Sequence, residues 1–333
     1  MKDVAAKAGV SLKTVSRVIN NEVTVNPDLA ARVRAAAAEL RYQPNFGASA
    51  LRRSDGRSST IGVLLEDLSN PFSATIFRAI EDVASEKGFS VVGGSLNESA
   101  EREEELIRSM TRHRVDGLVI APSSRDHSYL VEEQEAGVVM VFIDRPPVGI
   151  EADLVTSDSR AGSEAAVRHL LQHGHTSIAY LGDMTHIQTA QERLLGYKQA
   201  LTAANVKIDP ALVVENLRDS NAAFTATKNL FTLPSPPTAL FTGQNNVTIG
   251  AVRALRELGL QNEVALIGFD DFVLADLLEP AVSVVAQDIV EIGRRAAEKL
   301  FARLSGDEAI PEISYVPTTL HARGSGEIVP KKH

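Results

Sequence analysis

The 333-residue chain contains no cysteine and no tryptophan, and only 5% of it is aromatic. Without thiols there is no disulfide, no thiolate nucleophile and no thiolate metal ligand. Such a composition suits a reducing compartment. No apolar run approaches the ~20 residues that a membrane-crossing helix needs. The first residues, MKDVAAKAGVS, lack the apolar stretch of a secretory signal. The expectation is a cytoplasmic protein with no membrane contact. Local signatures of catalysis are missing too: there is no GxSxG turn, no GxxxxGK phosphate loop and no GxGxxG after a strand. His169 and His173 stand four apart with His175 close by, a spacing that zinc sites use. No glutamate completes an HExxH arrangement, however, and Gly174 interrupts the helix before His175. HLLQHGHTSI reads more simply as a helix end turning into a strand. Neither an enzyme nor a metal or cofactor protein is expected.

Positive charge is also short overall, with 34 Lys/Arg against 43 Asp/Glu and a net charge of −9. The shortage is uneven. Residues 1–60 hold ten Lys/Arg and five Asp/Glu, a net of +5, whereas the remainder holds 24 and 38, a net of −14. A basic head on an acidic body is the asymmetry produced when one end meets phosphates and the other does not.

The head carries three short helical patterns. Lys2–Ala8 ends at Gly9, which tolerates the left-handed position after a helix. Ser11 is placed to cap Leu12–Asn20. Asn26-Pro27 opens a third helix, Asp28–Arg41, with Asn as cap and Pro in the first turn. The expected shared core is Val4, Ala5, Ala8, Val10, Val15, Val18, Leu29, Val33 and Leu40. Gln43–Ser59 reads as a connector containing a short, marginal helix at Asn45–Arg53. From Thr60 onward, apolar runs suited to buried parallel strands (Ile61–Leu65, Ser90–Val92, Gly117–Ala121, Val138–Ile143, Ile178–Leu181, Thr238–Phe241, Val264–Phe269) alternate with amphipathic helices (Phe72–Lys87, Glu101–His113, Ser159–His173, Thr189–Ala204, Val247–Leu258, Ile289–Leu304). This is a doubly wound α/β pattern. A stretch of ~270 residues is long for one such sheet, so two are expected.

The most specific local signal is DVAAKAGVSLKTVSRVIN, a helix, a tight glycine turn and a second helix. In a major groove the second helix would bring its first side chains to base edges and its hydroxyls to phosphates, and Arg17 could contact a guanine with both guanidinium nitrogens. This stretch, the following VNPDLAARVRAAAAELRYQPN and the start of the body, STIGVLLEDLSNPF, resemble the LacI/GalR (lactose-repressor-like) family of bacterial transcription regulators. The likeness runs through essentially the whole chain. It implies that Leu12, Lys13 and Arg17 read bases while Thr14, Ser16 and Asn20 hold the DNA backbone. It also implies a hinge helix beginning at the DNA-binding Asn45, whose Leu51 wedges into the minor groove at the operator centre and kinks the duplex. The family commonly has arginine where Ser49 stands, and Gly47 weakens the helix; Arg52 and Arg53 are placed to pair with phosphates instead. The hinge is expected to fold on DNA.

In open α/β sheets, ligands sit beyond the carboxyl ends of the strands. Here those ends carry Glu66-Asp67, Asp144-Arg145, Gly182-Asp183 and Asp270-Asp271. A carboxylate accepts hydrogen bonds from adjacent hydroxyls, which suits a sugar or a nucleoside. Any one of these residues reads more readily as a helix cap, the commoner use of such residues; their repetition is what favours a cleft. The resemblance, in this part to the periplasmic sugar-binding fold, implies effector contacts from Phe72, Asp144, Arg193 and Asp270. Gln244-Asn245 stands where the family usually has Asn-Asp, so the usual site loses one carboxylate, and Gln287 is also within reach.

The expected fold is therefore α/β, with a three-helix helix-turn-helix head and two doubly wound parallel-sheet subdomains of the periplasmic-binding-protein type. The expected boundaries are 1–43 for DNA binding, 44–59 for hinge and linker, 60–157 with 288–316 for one subdomain, and 158–287 with 317–330 for the other. The expected function is a repressor-type regulator that binds a palindromic operator as a homodimer and answers to a small-molecule effector through cleft closure. The effector's identity, the direction of its effect and a protein corepressor on the first subdomain stay open. The alternative, a sugar-binding protein without a regulatory role or a small-molecule hydrolase, is disfavoured by the helix-turn-helix.

Overall fold

The computed structural model describes residues 1–19, 25–42 and 58–331 and divides the chain after Ser59. In the head, helices α1 (Lys2–Ala8), α2 (Leu12–Ile19) and α3 (Pro27–Glu39) follow the expected punctuation. Gly9 ends α1 with φ 62°, in the left-handed region. Ser11 Oγ accepts the Thr14 amide at 3.2 Å, and Asn26 Oδ1 accepts the Asp28 amide at 2.9 Å ahead of α3. The core is Val4, Ala5, Ala8, Val15, Val18, Ala30, Val33 and Ala36. Three expected members differ: Val10 and Leu29 are only half-buried and Leu40 is exposed. The helix ends at Glu39, so Leu40 falls past its last turn, and the buried stripe runs through the small residues Ala30 and Ala36 instead. That lets α3 approach closely, and Arg32 Nη2 donates to the Ala8 carbonyl at 2.6 Å, tying α3 to the end of α1.

The body runs β1 (Thr60–Leu65), α4 (Pro71–Glu86), β2 (Ser90–Ser95), α5 (Ala100–Arg112), β3 (Gly117–Ile120), α6 (Val131–Glu135), β4 (Val139–Ile143), β5 (Asp153–Ser157), α7 (Ser159–Gln172), β6 (Ile178–Leu181), α8 (Gln188–Ala203), β7 (Val213–Val214), α9 (Ser220–Leu230), β8 (Ala239–Thr242), α10 (Asn245–Glu257), β9 (Ala265–Phe269), β10 (Ser283–Gln287), α11 (Ile289–Leu304), β11 (Ile313–Val316) and β12 (Thr318–His321). Two six-stranded sheets result, in the orders β11-β5-β4-β3-β1-β2 and β12-β10-β9-β8-β6-β7. The described strand pairs are parallel except for β10 with β12. Apolar clusters cover both faces of each sheet, which is why the central strands read as unbroken apolar runs.

The chain passes between the sheets three times: from β5 to α7, from β10 to α11 and from β11 to β12. The first two passages share a design. Asp158 (φ −75°, ψ 74°) accepts the Ala161 amide at 3.0 Å, and Asp288 (φ −80°, ψ 78°) accepts the Glu291 amide at 3.0 Å. Each is thus both crossing residue and helix cap. Ser157 Oγ hydrogen-bonds Gln287 Oε1, so the two passages are tied side by side.

Candidate functional site

The carboxyl ends of β1, β4, β6, β8, β9 and β10 converge on a cleft of about 860 Å³ that is open to solvent. Arg193, on α8, is its deepest cation at 5% exposure. The guanidinium lies 4.0 Å from the centroid of the Phe269 ring, a cation–π distance. Nη1 donates to the Gly243 carbonyl at 2.7 Å and lies 3.7 Å from Asp270 Oδ2. Nε is buried without a hydrogen-bond partner among the described residues, a desolvated donor whose cost the contacts to Phe269 and Gly243 must offset. Gln287 Nε2 donates to Asp270 Oδ1 at 2.6 Å. Burial pushes the Asp270 carboxyl up, against the pull of Arg193 and Gln287.

Asp144 and Asp270 are counterparts in the two sheets. Both follow directly after a strand with left-handed backbones, φ 65° and 68°. Their amides donate to Val155 and Val285, on the next strands, at 3.0 and 2.9 Å. The turn costs backbone strain for a non-glycine residue, and in each half it accompanies a carboxylate that lines the cleft. Beside Asp144, Arg145 binds both Glu98 oxygens, at 2.8 and 2.6 Å, and the Pro122 carbonyl at 3.1 Å. Burial opposes its charge, but Glu98 and Asp144 hold the guanidinium firmly protonated. Burial raises the Asp183 carboxyl. It pushes Glu66 up to about 7, with Glu98 adding to the shift and Arg145 opposing it.

The two halves also touch across the cleft. Asn245 Nδ2 donates to Asn70 Oδ1 at 3.0 Å, and Arg218 Nη2 donates to the Asn97 carbonyl at 3.1 Å. Asn70 caps α4 just before Phe72, which packs against the apolar core and lines the cleft. Gln244 caps α10 and donates to Asp183 Oδ2 at 3.2 Å. Phe72, Asp144, Arg193, Gln244 and Asp270 thus line one cleft, together with Gln287. Of the doubled acids at strand ends, Glu66 and Asp270 line it, whereas Asp67 holds the Ser69 amide and hydroxyl and Asp271 binds Arg323. Asn70, Glu98 and Arg218 were not anticipated. The first had a signal in its N-P-F cap, while the others sit on loops that only the folded chain brings to the cleft.

On α2 the side chains of Leu12, Lys13 and Arg17 are exposed, Leu12 at 47%, and Thr14 and Ser16 are half-buried. Val15 and Val18 are buried in the head core. Asn20, Asn45 and Leu51 lie outside the described residues. The histidines are held by other groups: His169 Nε2 meets Glu327 Oε1 at 2.5 Å, His173 Nδ1 donates to the His169 carbonyl at 2.9 Å, and His175 sits between Thr238 Oγ1 and the Ile328 carbonyl, at 2.9 and 2.6 Å. No helix among the described residues is long and apolar enough to cross a membrane.

A helix-turn-helix joined in sequence to a two-sheet body with a polar cleft defines a DNA-binding regulator that carries a small-molecule sensor. Residues 1–45 match the model of bacterial regulatory proteins of the lacI family, and residues 167–326 match the periplasmic binding protein-like domain. The chain is similar to the ribose operon repressor of Escherichia coli (strain K12), 31% identical over 328 residues, covering 98% of this chain and 99% of that one. Its structure is similar to the lac repressor dimer bound to operator and the anti-inducer ONPF, with a TM-score of 0.85, 26% identity and coverage of 97% and 98%. It is also similar to the transcriptional regulator CelR in complex with cellobiose, with a TM-score of 0.72, 30% identity and coverage of 97% and 98%. The chain belongs to the LacI family: it is a transcription regulator of the repressor type and not an enzyme.

Proposed function

We propose that residues 1–43 read a palindromic operator, residues 44–59 form the hinge, and the cleft between 60–157 with 288–316 and 158–287 with 317–330 senses an uncharged sugar in a cytoplasmic homodimer. The carrying observation is the Arg193–Asp270–Gln287 cluster in the same cleft as Asp144. Its carboxylates accept from neighbouring hydroxyls, the guanidinium edge of Arg193 that lines the cleft donates to a sugar oxygen, and Phe72 covers the apolar face of a ring.

Charge narrows the class. Glu66, Glu98, Asp144, Asp183 and Asp270 line the cleft against Arg145, Arg193 and Arg218. Even with Glu66 protonated, four acidic groups face three guanidiniums, and a wall so poor in surplus positive charge disfavours a sugar phosphate or a uronate. Phe72 is the one aromatic side chain among the described lining residues, which suits a sugar ring better than a nucleobase asking for stacking on both faces. Relatives named for ribose and solved with cellobiose are in keeping with this class.

Calorimetric titration with ribose, cellobiose, adenosine and ribose 5-phosphate tests the reading, followed by operator binding with and without the sugar that binds. A neutral sugar is expected to bind and to shift operator affinity. Tighter binding of the phosphate would overturn the charge argument. No preference for a palindromic duplex over random DNA at physiological salt would sink the operator assignment.

A further inference from the structure

Glu103, in the first turn of α5, is a fully buried carboxylate that does not line the cleft. A buried charge is costly unless its partners compensate it, so the partners show what it does. Oε2 accepts the amides of Ser123 and Ser124 at 2.5 and 3.0 Å, and Oε1 accepts the Tyr129 hydroxyl at 2.8 Å. His127, also fully buried, places Nε2 3.3 Å from Oε1, while its Nδ1 accepts the Val148 amide at 3.1 Å. Burial alone would raise the carboxyl; the groups of His127, Ser123, Tyr129 and Ser124 outweigh it and hold it below the usual range.

All four groups belong to the segment that follows β3, and that segment begins at the cleft. Ala121 lines the cleft, and the Pro122 carbonyl accepts from Arg145 Nη1 at 3.1 Å. Arg145 in turn grips Glu98 and lies 3.4 Å from Asp144 Oδ2. We propose that Glu103 is a positioning residue for the effector cleft: it clamps residues 121–124 from behind, so that the Pro122 carbonyl fixes Arg145 and, through it, Glu98 and Asp144. A carboxylate suits this task because one oxygen accepts two backbone amides while the other takes the tyrosine hydroxyl. The inference rests on the reading of the cleft as a sugar site.

The test is calorimetric titration of the full chain with ribose and with cellobiose. It compares the wild type with Glu103→Gln, Tyr129→Phe, Arg145→Lys and the double variant Glu103→Gln/Arg145→Lys. Glu103→Gln is expected to raise the sugar Kd about tenfold, the size of one charge-assisted hydrogen bond's loss, and Tyr129→Phe to raise it less. The double variant should bind no more weakly than Arg145→Lys alone, within roughly twofold, because both changes break one chain of contacts. Lower melting temperatures with wild-type Kd in both Glu103→Gln and Tyr129→Phe would overturn the proposal, as would losses that multiply in the double variant. Should Glu103→Gln not fold, Tyr129→Phe decides by the same criterion. If neither sugar binds the wild type, the sugar-site reading falls and takes this inference with it; if the wild type binds and the variants bind equally well, the inference alone falls.

Discussion

Arg193 illustrates how one side chain is shaped by what it touches. Its ring contact with Phe269 and its bond to Gly243 hold it in place, so the charge is fixed before any ligand arrives. Arg193→Ala is expected to weaken sugar binding by well over tenfold, a loss of more than about 1.4 kcal/mol, while operator affinity without sugar stays at the wild-type level. Calorimetry and operator anisotropy on the same preparation check both halves. Glu66 makes a second prediction at this scale. Its carboxyl titrates at about 7 in the folded chain against 4.5 ordinarily. Between those values the folded chain holds a proton that the unfolded chain has released, so stability falls as pH rises through this window and levels off above it. Glu66→Gln removes the effect. The variant should match the wild type near pH 4.5 and melt higher by on the order of a few degrees at pH 8; equal melting at pH 8 would contradict the burial argument.

At the scale of elements, two helix pairs in the second half owe their closeness to single glycines. A Cβ on Gly196 of α8 would stand 2.3 Å from the Arg160 carbonyl of α7, and one on Gly250 of α10 would stand 2.4 Å from the Ser220 carbonyl of α9. In an open helix, Gly→Ala stabilises by about 1 kcal/mol. Here the backbone carbonyl cannot move aside cheaply, and overpacking costs about 1–3 kcal/mol, so Gly250→Ala is expected to lower the melting temperature, as thermal unfolding would show. The elements also mark how far the sequence could be read. Helices with a strong apolar stripe and strands of unbroken apolar residues were legible, often to within a residue or two. The strands DLVTS, SVVAQ, ISYV and TTLH and the helix SNAAFTATKNL were not, because they mix polar and small residues and are defined by their neighbours. In the cleft, the acids at strand ends were legible as a set. Which acid of each doublet faces the ligand was not, since that depends on local bonds such as those of Asp67 to Ser69 and Asp271 to Arg323.

For the whole molecule, the charge asymmetry predicts that two activities of one chain respond differently to salt. Residues 1–60 carry +5 and the remainder −14. Operator binding neutralises phosphates and releases counterions, so its affinity should fall steeply with ionic strength, by roughly a thousandfold or more from 50 to 200 mM salt for a dimer making six to ten phosphate contacts. Binding of an uncharged sugar should hardly change over the same range. Parallel salt titrations of both equilibria would show this, and a sugar affinity that fell with salt as steeply as operator binding would count against an uncharged effector.

The three passages between the sheets also bear on how the protein is made. Strand β11 pairs with β5, matching Ile313 to Leu154 and Val316 to Ser157, and α11 supplies Ile292, Leu300 and Phe301 to the core of the same sheet. A ribosome adding about 5–20 residues per second therefore releases most of the first sheet roughly seven to thirty seconds before the pieces that close its edge and cover one face. The second sheet's central strands emerge in that interval, so the sheet begun first is finished among the last. A growing chain stalled before residue 289 would hold an open strand edge and an uncovered apolar face, the kind of surface that chaperones bind.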